Sequence, residues 1–188
     1  GSLHALDLEE VSAIVAEAHR LKRRVAAHVW RAESMDIAIQ AGVDSIEHGY
    51  RITDPQLKAM AQKGIVLVPT DGTVEGAKPF YPSATEWKKV EAGVMEDLAG
   101  NAHRLRRARA AGVRIMAGSD MTIRLQGRTR GEASKDMLGA YAASGMTPLE
   151  ILRAATSDSA DLLGWSDRVG SLEPGRFADI IAIPKSFQ

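Results

Sequence analysis

Four short apolar segments alternate with helical segments along this chain, and this alternation constrains the fold more than any other feature. Hydrophobic residues run through each segment without alternating with polar ones, which is typical of strands buried on both faces. A strand joined to the next through a helix favours a parallel sheet, because parallel neighbours need a crossover connection. The sequence therefore predicts an α/β protein whose strands cover residues 25–29, 43–48, 65–68 and 113–117.

The helical segments are indicated by apolar residues spaced three or four apart and by residues that start and stop helices. Pro55 stands near the start of one helix, and Thr147 with Glu150 has the spacing of a capping box. Gly42 and Gly64 are typical of helix C-termini. The predicted helices cover residues 8–21, 34–42, 54–64, 84–111, 132–144 and 148–163.

Four strand–helix units amount to half of an eight-stranded barrel. We therefore expect residues 1–165 to form one half of a TIM (β/α)8 barrel. Residues 166–188 differ in character, since a turn at 170–175 precedes an apolar strand at 178–183 that lies outside the strand–helix rhythm. This tail is expected to be a separate C-terminal segment.

Charge and composition exclude several classes of partner. The chain has 24 Lys and Arg against 24 Asp and Glu, and this balance gives no reason to expect nucleic acid or an anionic membrane surface as a partner. The sequence contains no apolar run of membrane-spanning length. No basic segment followed by an apolar one stands at the N-terminus, so we expect a cytoplasmic protein, although a leader removed before Gly1 would leave the same pattern. Cysteine is absent, so a metal site would use His with Asp or Glu.

Polar side chains stand where each predicted strand ends. His28 and His48 end the first two strands, Thr70 follows the third, and Asp120 follows the fourth. In a βα barrel the functional residues lie at the C-terminal ends of the strands. Two imidazoles and a carboxylate at that edge suit zinc, whereas one such histidine alone would more often be a structural residue. The repetition at strand ends therefore points to His28, His48 and Asp120 as metal-site residues.

Further side chains are candidates for substrate binding or support. Tyr50, Thr70 and Arg124 fall on strand-end loops and are candidate substrate-binding residues, the alternative for each being an ordinary solvated loop residue. Glu47 is expected to point to the face opposite His48 if the strand is regular. Arg104 is expected on a solvated basic face of the long helix.

Several motifs together resemble one enzyme superfamily. Ala26-Ala27-His28, the segment 42–49 (GVDSIEHG) and the segment 111–120 (AGVRIMAGSD) resemble the amidohydrolase superfamily. Segments 144–156 and 170–179 agree with it, so the resemblance covers nearly the whole chain. More narrowly, the chain looks like the branch that contains imidazolonepropionase-like enzymes, metal-dependent prolidases and Xaa-Arg/Lys dipeptidases.

The resemblance implies a role for each site residue. His28 on barrel strand five and His48 on strand six would be metal ligands. Asp120 on strand eight would bind metal and take a proton from the hydrolytic water. Segment 178–183 would be a strand of a small β-sandwich beside the barrel. The family's His-x-His pair of strand one and its Lys or Glu of strand four have no counterpart here, so the one or two Zn²⁺ ions of the family could be reduced to one or none.

Two functions remain open at this stage. The first is a metal-dependent amidohydrolase that cleaves an amide-type C–N bond of a dipeptide, an N-acyl amino acid or a cyclic amide. The second is a catalytically inactive half-barrel scaffold that self-associates. Both predict a partner, either a second copy or the other half of a barrel, because a half barrel leaves sheet edges and apolar surface exposed.

Overall fold

Three parallel strands form the centre of the fold. The computed structural model describes residues 6–81, 83–122, 125 and 127–182. Strands β1 (Ala26–Val29), β2 (Ser45–His48) and β3 (Val66–Val68) lie side by side in that order. The fourth predicted strand reaches the sheet through one parallel bridge, between Leu67 and Ile115. The prediction of an α/β fold with a parallel sheet is confirmed.

The helices begin and end largely where the capping residues indicate. Asp7 and Glu10 form a capping box at the first helix, and Thr53 forms another with Gln56. The long helix runs without interruption through Gly93. The helices are α1 (Leu8–Arg20), α2 (Ala32–Ala41), α3 (Asp54–Lys63), α4 (Val74–Ala77), α5 (Ala84–Ala110), α6 (Arg130–Ser134), α7 (Asp136–Ala143), α8 (Pro148–Ala155) and α9 (Ser157–Leu163), with a 3-10 turn at Lys78–Phe80.

The two faces of the sheet pack against different residues. Ile46, Leu67 and Ile115 belong to the main core, which is shared with the helices. Val66 and Val68 lie on the other face and pack with Met116 in a second, smaller cluster. Side chains alternate between the faces of a strand, so the register places His28 and Glu47 on the same face as Val68. The candidate site therefore lies at the strand ends on the side of this second cluster.

The C-terminal tail differs from its prediction. Residues 178–182 have no regular secondary structure, and Ile183 lies outside the described residues. Ile180 and Ile181 are 66% and 81% exposed. A strand is stabilised by hydrogen bonds to a neighbouring strand, and no described segment pairs with this one. The prediction of a strand was therefore wrong for residues 178–182.

None of the helices in the described part of the chain combines the length and apolar character needed to cross a membrane.

Candidate metal and substrate site

Three of the polar residues at the strand ends share an unusual backbone conformation. His48, Thr70 and Asp120 have φ angles of 67°, 57° and 47°. Residues other than glycine rarely adopt these positive angles, which cost about 1–3 kcal/mol each and persist only where neighbouring contacts hold them. Such strain is concentrated at functional sites, and here it occurs at adjacent strand ends.

His28 and His48 are in direct contact. His28 Nδ1 lies 2.8 Å from His48 Nε2, and Asp120 Oδ2 lies 4.0 Å from the same Nε2. His48 is 3% exposed, whereas the Asp120 side chain is 55% exposed. The structure thus brings the three predicted site residues together. Nevertheless, across residues 6–81, 83–122, 125 and 127–182, no three His, Asp or Glu side chains are arranged to hold a metal ion.

Thr70 orients the His48 ring. Its Oγ1 lies 2.6 Å from His48 Nδ1 and donates to the Pro69 carbonyl at 2.7 Å. The hydroxyl has a single proton, so with that proton on Pro69 the oxygen accepts from Nδ1–H and the lone pair of His48 is on Nε2. Burial lowers the pKa of His48, as does the nearby His28. The ring is therefore held neutral, with the Nε2 lone pair directed at His28 Nδ1, 2.8 Å away.

Aromatic rings surround the two histidines. The Tyr50 ring stacks on His48 at 5.6 Å between centroids, with 23° between the planes. The centroid of the Trp30 ring lies 5.8 Å from that of the His28 ring and 5.5 Å from that of the His48 ring. Burial raises the pKa of Tyr50, so its hydroxyl remains protonated and able to donate a hydrogen bond.

A buried ion pair between Arg104 and Asp71 contacts the strand-end loops that carry His48 and Thr70. Arg104 on α5 and Asp71 after β3 are each 4% exposed, and Arg104 Nη2 donates to both Asp71 oxygens at 2.7 and 2.8 Å. Arg104 Nη1 donates to the backbone carbonyl of His48. Burial raises the pKa of Asp71 to about 6, while the Arg104 charge opposes this rise. The prediction that Arg104 lies on a solvated face was wrong, because its guanidinium has buried partners on two strand-end loops.

A cavity of about 510 Å³ opens in front of His48. His48, Tyr50, Thr70 and Asp120 line it together with Trp30. Its volume is in the range of small-molecule sites. Arg124, the remaining predicted substrate-binding residue, lies outside the described residues.

The model of the Amidohydrolase family matches residues 5–188. The chain belongs to the amidohydrolase family. This confirms the membership that the motifs at residues 42–49 and 111–120 indicated.

Relatives of this amidohydrolase include enzymes that act on different compounds. It is 32% identical to ochratoxinase of Aspergillus niger over 185 residues, which is 95% of this chain and 36% of that enzyme. It is 30% identical to imidazolonepropionase of Geobacillus kaustophilus over 149 residues, 78% of this chain and 29% of that one. The structure of a Xaa-Pro dipeptidase with bound methionine is similar over 92% of this chain and 42% of its own, with a TM-score of 0.72 and 29% identity. The chain thus spans less than half the length of these relatives.

Glu47 lies beside the site on the strand that carries His48. It is paired in register with His28, and the charges of Asp120 and His28 both influence its carboxyl group. Burial raises the pKa of Glu47, and Ser45 Oγ donates to its Oε1 at 2.7 Å. Its carboxyl group is therefore held near His28, and the expectation that it points to the face opposite His48 stays a prediction.

Proposed function

We propose that this chain carries part of the active site of a metal-dependent hydrolase that cleaves an amide-type C–N bond. The observation that supports this proposal best is the contact between His28 and His48 at adjacent strand ends, with Asp120 at 4.0 Å. Family membership supports a hydrolase acting on amide bonds. The substrate class we propose is a dipeptide, an N-acyl amino acid or a cyclic amide.

The donor set suits zinc. His28, His48 and Asp120 would hold the ion, since neutral imidazoles and carboxylates are common zinc ligands. The Nε2 lone pair of His48, which follows from its bond to Thr70, fits this role. When bound, zinc lowers the pKa of a coordinated water and polarises a carbonyl oxygen. Because the described residues do not form a group of three donors, we propose that further ligands from a longer polypeptide or a second chain complete the site.

The roles of the chain's own residues follow from their positions. The Asp120 side chain is 55% exposed and lines the cavity, so its carboxylate can accept a proton from water and deliver it to the leaving amine. The protonated Tyr50 hydroxyl can donate a hydrogen bond to a substrate oxygen in the same cavity. Thr70 holds the His48 ring, and Arg124 is proposed to attract a substrate carboxylate.

The fold proposed for the parent enzyme is a TIM barrel in which β1, β2, β3 and segment 113–117 are strands five to eight. Residues 166–188 would then be the C-terminal segment that leads into a small β-sandwich beside the barrel. The exposed edge of β1 and the exposed Ile180 and Ile181 are consistent with a missing partner surface.

A non-catalytic, self-associating scaffold is the second candidate. It is favoured by the absence of a complete three-donor group among the described residues. Metal analysis together with light scattering separates the two candidates. Near-stoichiometric zinc with amide hydrolysis would exclude the scaffold, and a metal-free dimer that cleaves no amide would exclude catalysis by the isolated chain.

The test of catalysis compares two aspartate variants. The zinc-loaded chain is incubated with an Xaa-Pro dipeptide, an N-acyl amino acid and a cyclic amide, and the released amine is quantified. Asp120→Asn should reduce hydrolysis by about 10²–10⁴-fold, the usual contribution of a proton-transfer group. Asp161→Asn is the matched control, because Asp161 is an exposed partner of Arg114 remote from the proposed roles. Amide hydrolysis by the wild type that Asp120→Asn leaves unchanged would contradict the proposed role of Asp120.

A further inference from the structure

Arg104 joins two strand ends to the long helix α5. One guanidinium nitrogen donates to the His48 carbonyl, and another holds Asp71, the residue that follows Thr70. Both loops carry a residue with positive φ, at His48 and at Thr70. A single buried side chain thus connects the two backbone segments that place the His48 ring and its hydrogen-bond acceptor.

The turn after His48 is fixed partly by its own backbone, since Gly49 N–H lies 3.2 Å from the Val29 carbonyl and 2.9 Å from the Glu47 carbonyl, and Arg104 adds a contact from outside. Gly49 follows with a φ of 64°, and a Cβ atom there would come within 2.7 Å of Leu67 and 3.7 Å of Arg104 Nη1. The guanidinium therefore packs closely against the turn while it donates to the carbonyl. Two successive left-handed residues, of which one is not glycine, need such an external contact to persist.

The same guanidinium also reaches the aromatic ring that covers His48. Arg104 Cζ lies 4.9 Å from the centroid of the Tyr50 ring, a distance typical of cation–π contacts. Tyr50 in turn stacks on His48. Arg104 thus acts on His48 through its carbonyl and through the ring stacked on it.

We propose that Arg104, paired with Asp71, is a positioning residue that holds His48 in contact with His28 and Thr70. This proposal rests on the proposed function for its consequence, since a displaced His48 would bind zinc less tightly. Outer groups that orient metal ligands typically contribute about 10–100-fold in metal affinity. The guanidinium contacts the His48 carbonyl, the Asp71 carboxylate and the Tyr50 ring, so Arg104 would act on the metal ligand indirectly.

A purely structural role for the ion pair is the competing explanation, and a double variant separates the two. Replacing both partners, Arg104→Met with Asp71→Leu, leaves no buried charge, and such replacements are often neutral or stabilising. The double variant nevertheless removes the donor to the His48 carbonyl. Stability and positioning are therefore expected to respond differently.

The experiment uses chain isotopically labelled at histidine; a urea midpoint reports stability, and two further readouts report the position of His48. The first is the nuclear Overhauser contact between the ring protons of His28 and His48 in metal-free samples. The second is zinc affinity, measured by competition with a chromophoric chelator. Arg106→Lys is the matched control, because Arg106 is exposed on the same helix.

We expect the double variant to keep a urea midpoint near that of the wild type, to lose the ring contact and to bind zinc about 10–100-fold more weakly. Arg106→Lys should match the wild type in all three respects. A folded double variant with an unchanged ring contact and unchanged zinc affinity would overturn the proposal. If the double variant does not fold, Arg104→Lys decides by the same readouts, since one ammonium cannot reproduce the fork that reaches both the carbonyl and the carboxylate.

A failure of the metal assignment would be recognised separately. A wild-type chain that binds no zinc but shows the ring contact, which the double variant then loses, would refute the metal site and support the positioning role. Zinc binding by the wild type with no ring contact in either protein would overturn the positioning role alone.

Discussion

Replacing Arg104 with methionine should destabilise the chain strongly, because it leaves the Asp71 carboxylate buried without its counter-charge. Both residues are 4% exposed, and the pair is bidentate at 2.7 and 2.8 Å. Removing one partner of such a buried pair typically costs about 3–5 kcal/mol. The lost hydrogen bond to the His48 carbonyl is part of that cost. Since a domain has only about 5–15 kcal/mol of stability in total, the variant should be marginal but measurable.

The cost should also depend on pH in a defined direction. Burial raises the folded-state pKa of Asp71 from 3.8 to about 6, so the folded chain binds this proton more tightly than the unfolded chain. The contribution of Asp71 to the free energy of unfolding therefore falls as pH rises from about 4 to about 6 and is constant above that. Without Arg104, whose charge lowers this pKa, the folded-state pKa rises further and the variant continues to lose stability above pH 6. The difference between wild type and variant should thus be larger near pH 8 than near pH 5.

Urea unfolding followed by circular dichroism at about pH 5 and about pH 8 measures both effects. Arg106→Met is the control, and as an exposed substitution it should change stability by no more than about 0.5 kcal/mol. A loss below about 1 kcal/mol for Arg104→Met near pH 8 would refute the reasoning, because exposed ion pairs contribute that little. An equal loss of stability for Arg104→Met at both pH values would contradict the predicted titration of Asp71 in the folded chain.

Three further predictions concern His48 and its neighbours. His28→Ala or His48→Ala should abolish tight zinc binding while the metal-free chain stays folded; thermal melts showing a loss of several kilocalories per mole would contradict this. Thr70→Val should weaken zinc binding about tenfold, because it removes the acceptor for His48 Nδ1–H, whereas Thr70→Ser should retain most of it, as chelator competition can measure. Burial lowers the folded-state pKa of His48 below 6.5. The contribution of the neutral ring to stability is therefore complete above pH 6.5, and it is lost as the pH falls from 6.5 through the folded-state pKa. The stability advantage of wild type over His48→Gln should accordingly shrink on acidification from neutral pH, and an advantage that grows would show the opposite shift.

The strands and the histidine pair could be predicted because their signals are local. Continuous apolar runs fix the strand positions, and His48 and Asp120 stand directly where such runs end. Parallel strands bring their C-terminal ends to one edge, so sequence neighbours of strand ends become spatial neighbours.

Arg104 was missed because its partner Asp71 lies 33 residues away and gives no local signal. The surrounding helix carries further arginines, and by composition alone Arg104 resembles them. One signal was present, since Arg104 stands four residues before the buried Ala108 and so shares its helix face. Helical periodicity therefore separates Arg104 from exposed Arg106, although it cannot name the partner.

The positive φ angles of His48 and Thr70 could not be predicted, because the contacts around them come from residues distant in sequence. The tail strand was mispredicted because hydrophobic sequence favours a strand, but a strand forms only where a partner is available.

X-ray absorption at the zinc edge can identify the metal ligands, because it reports the atoms bound to the metal. For the zinc-loaded chain, we expect nitrogen or oxygen neighbours at about 2.0–2.1 Å with the scattering pattern of two imidazoles. His48→Ala should lose at least one imidazole contribution, whereas replacement of the remote His103 should change nothing. Zinc bound without imidazole, or an unchanged spectrum for His48→Ala, would contradict the assignment of His28 and His48 as the metal ligands of this amidohydrolase.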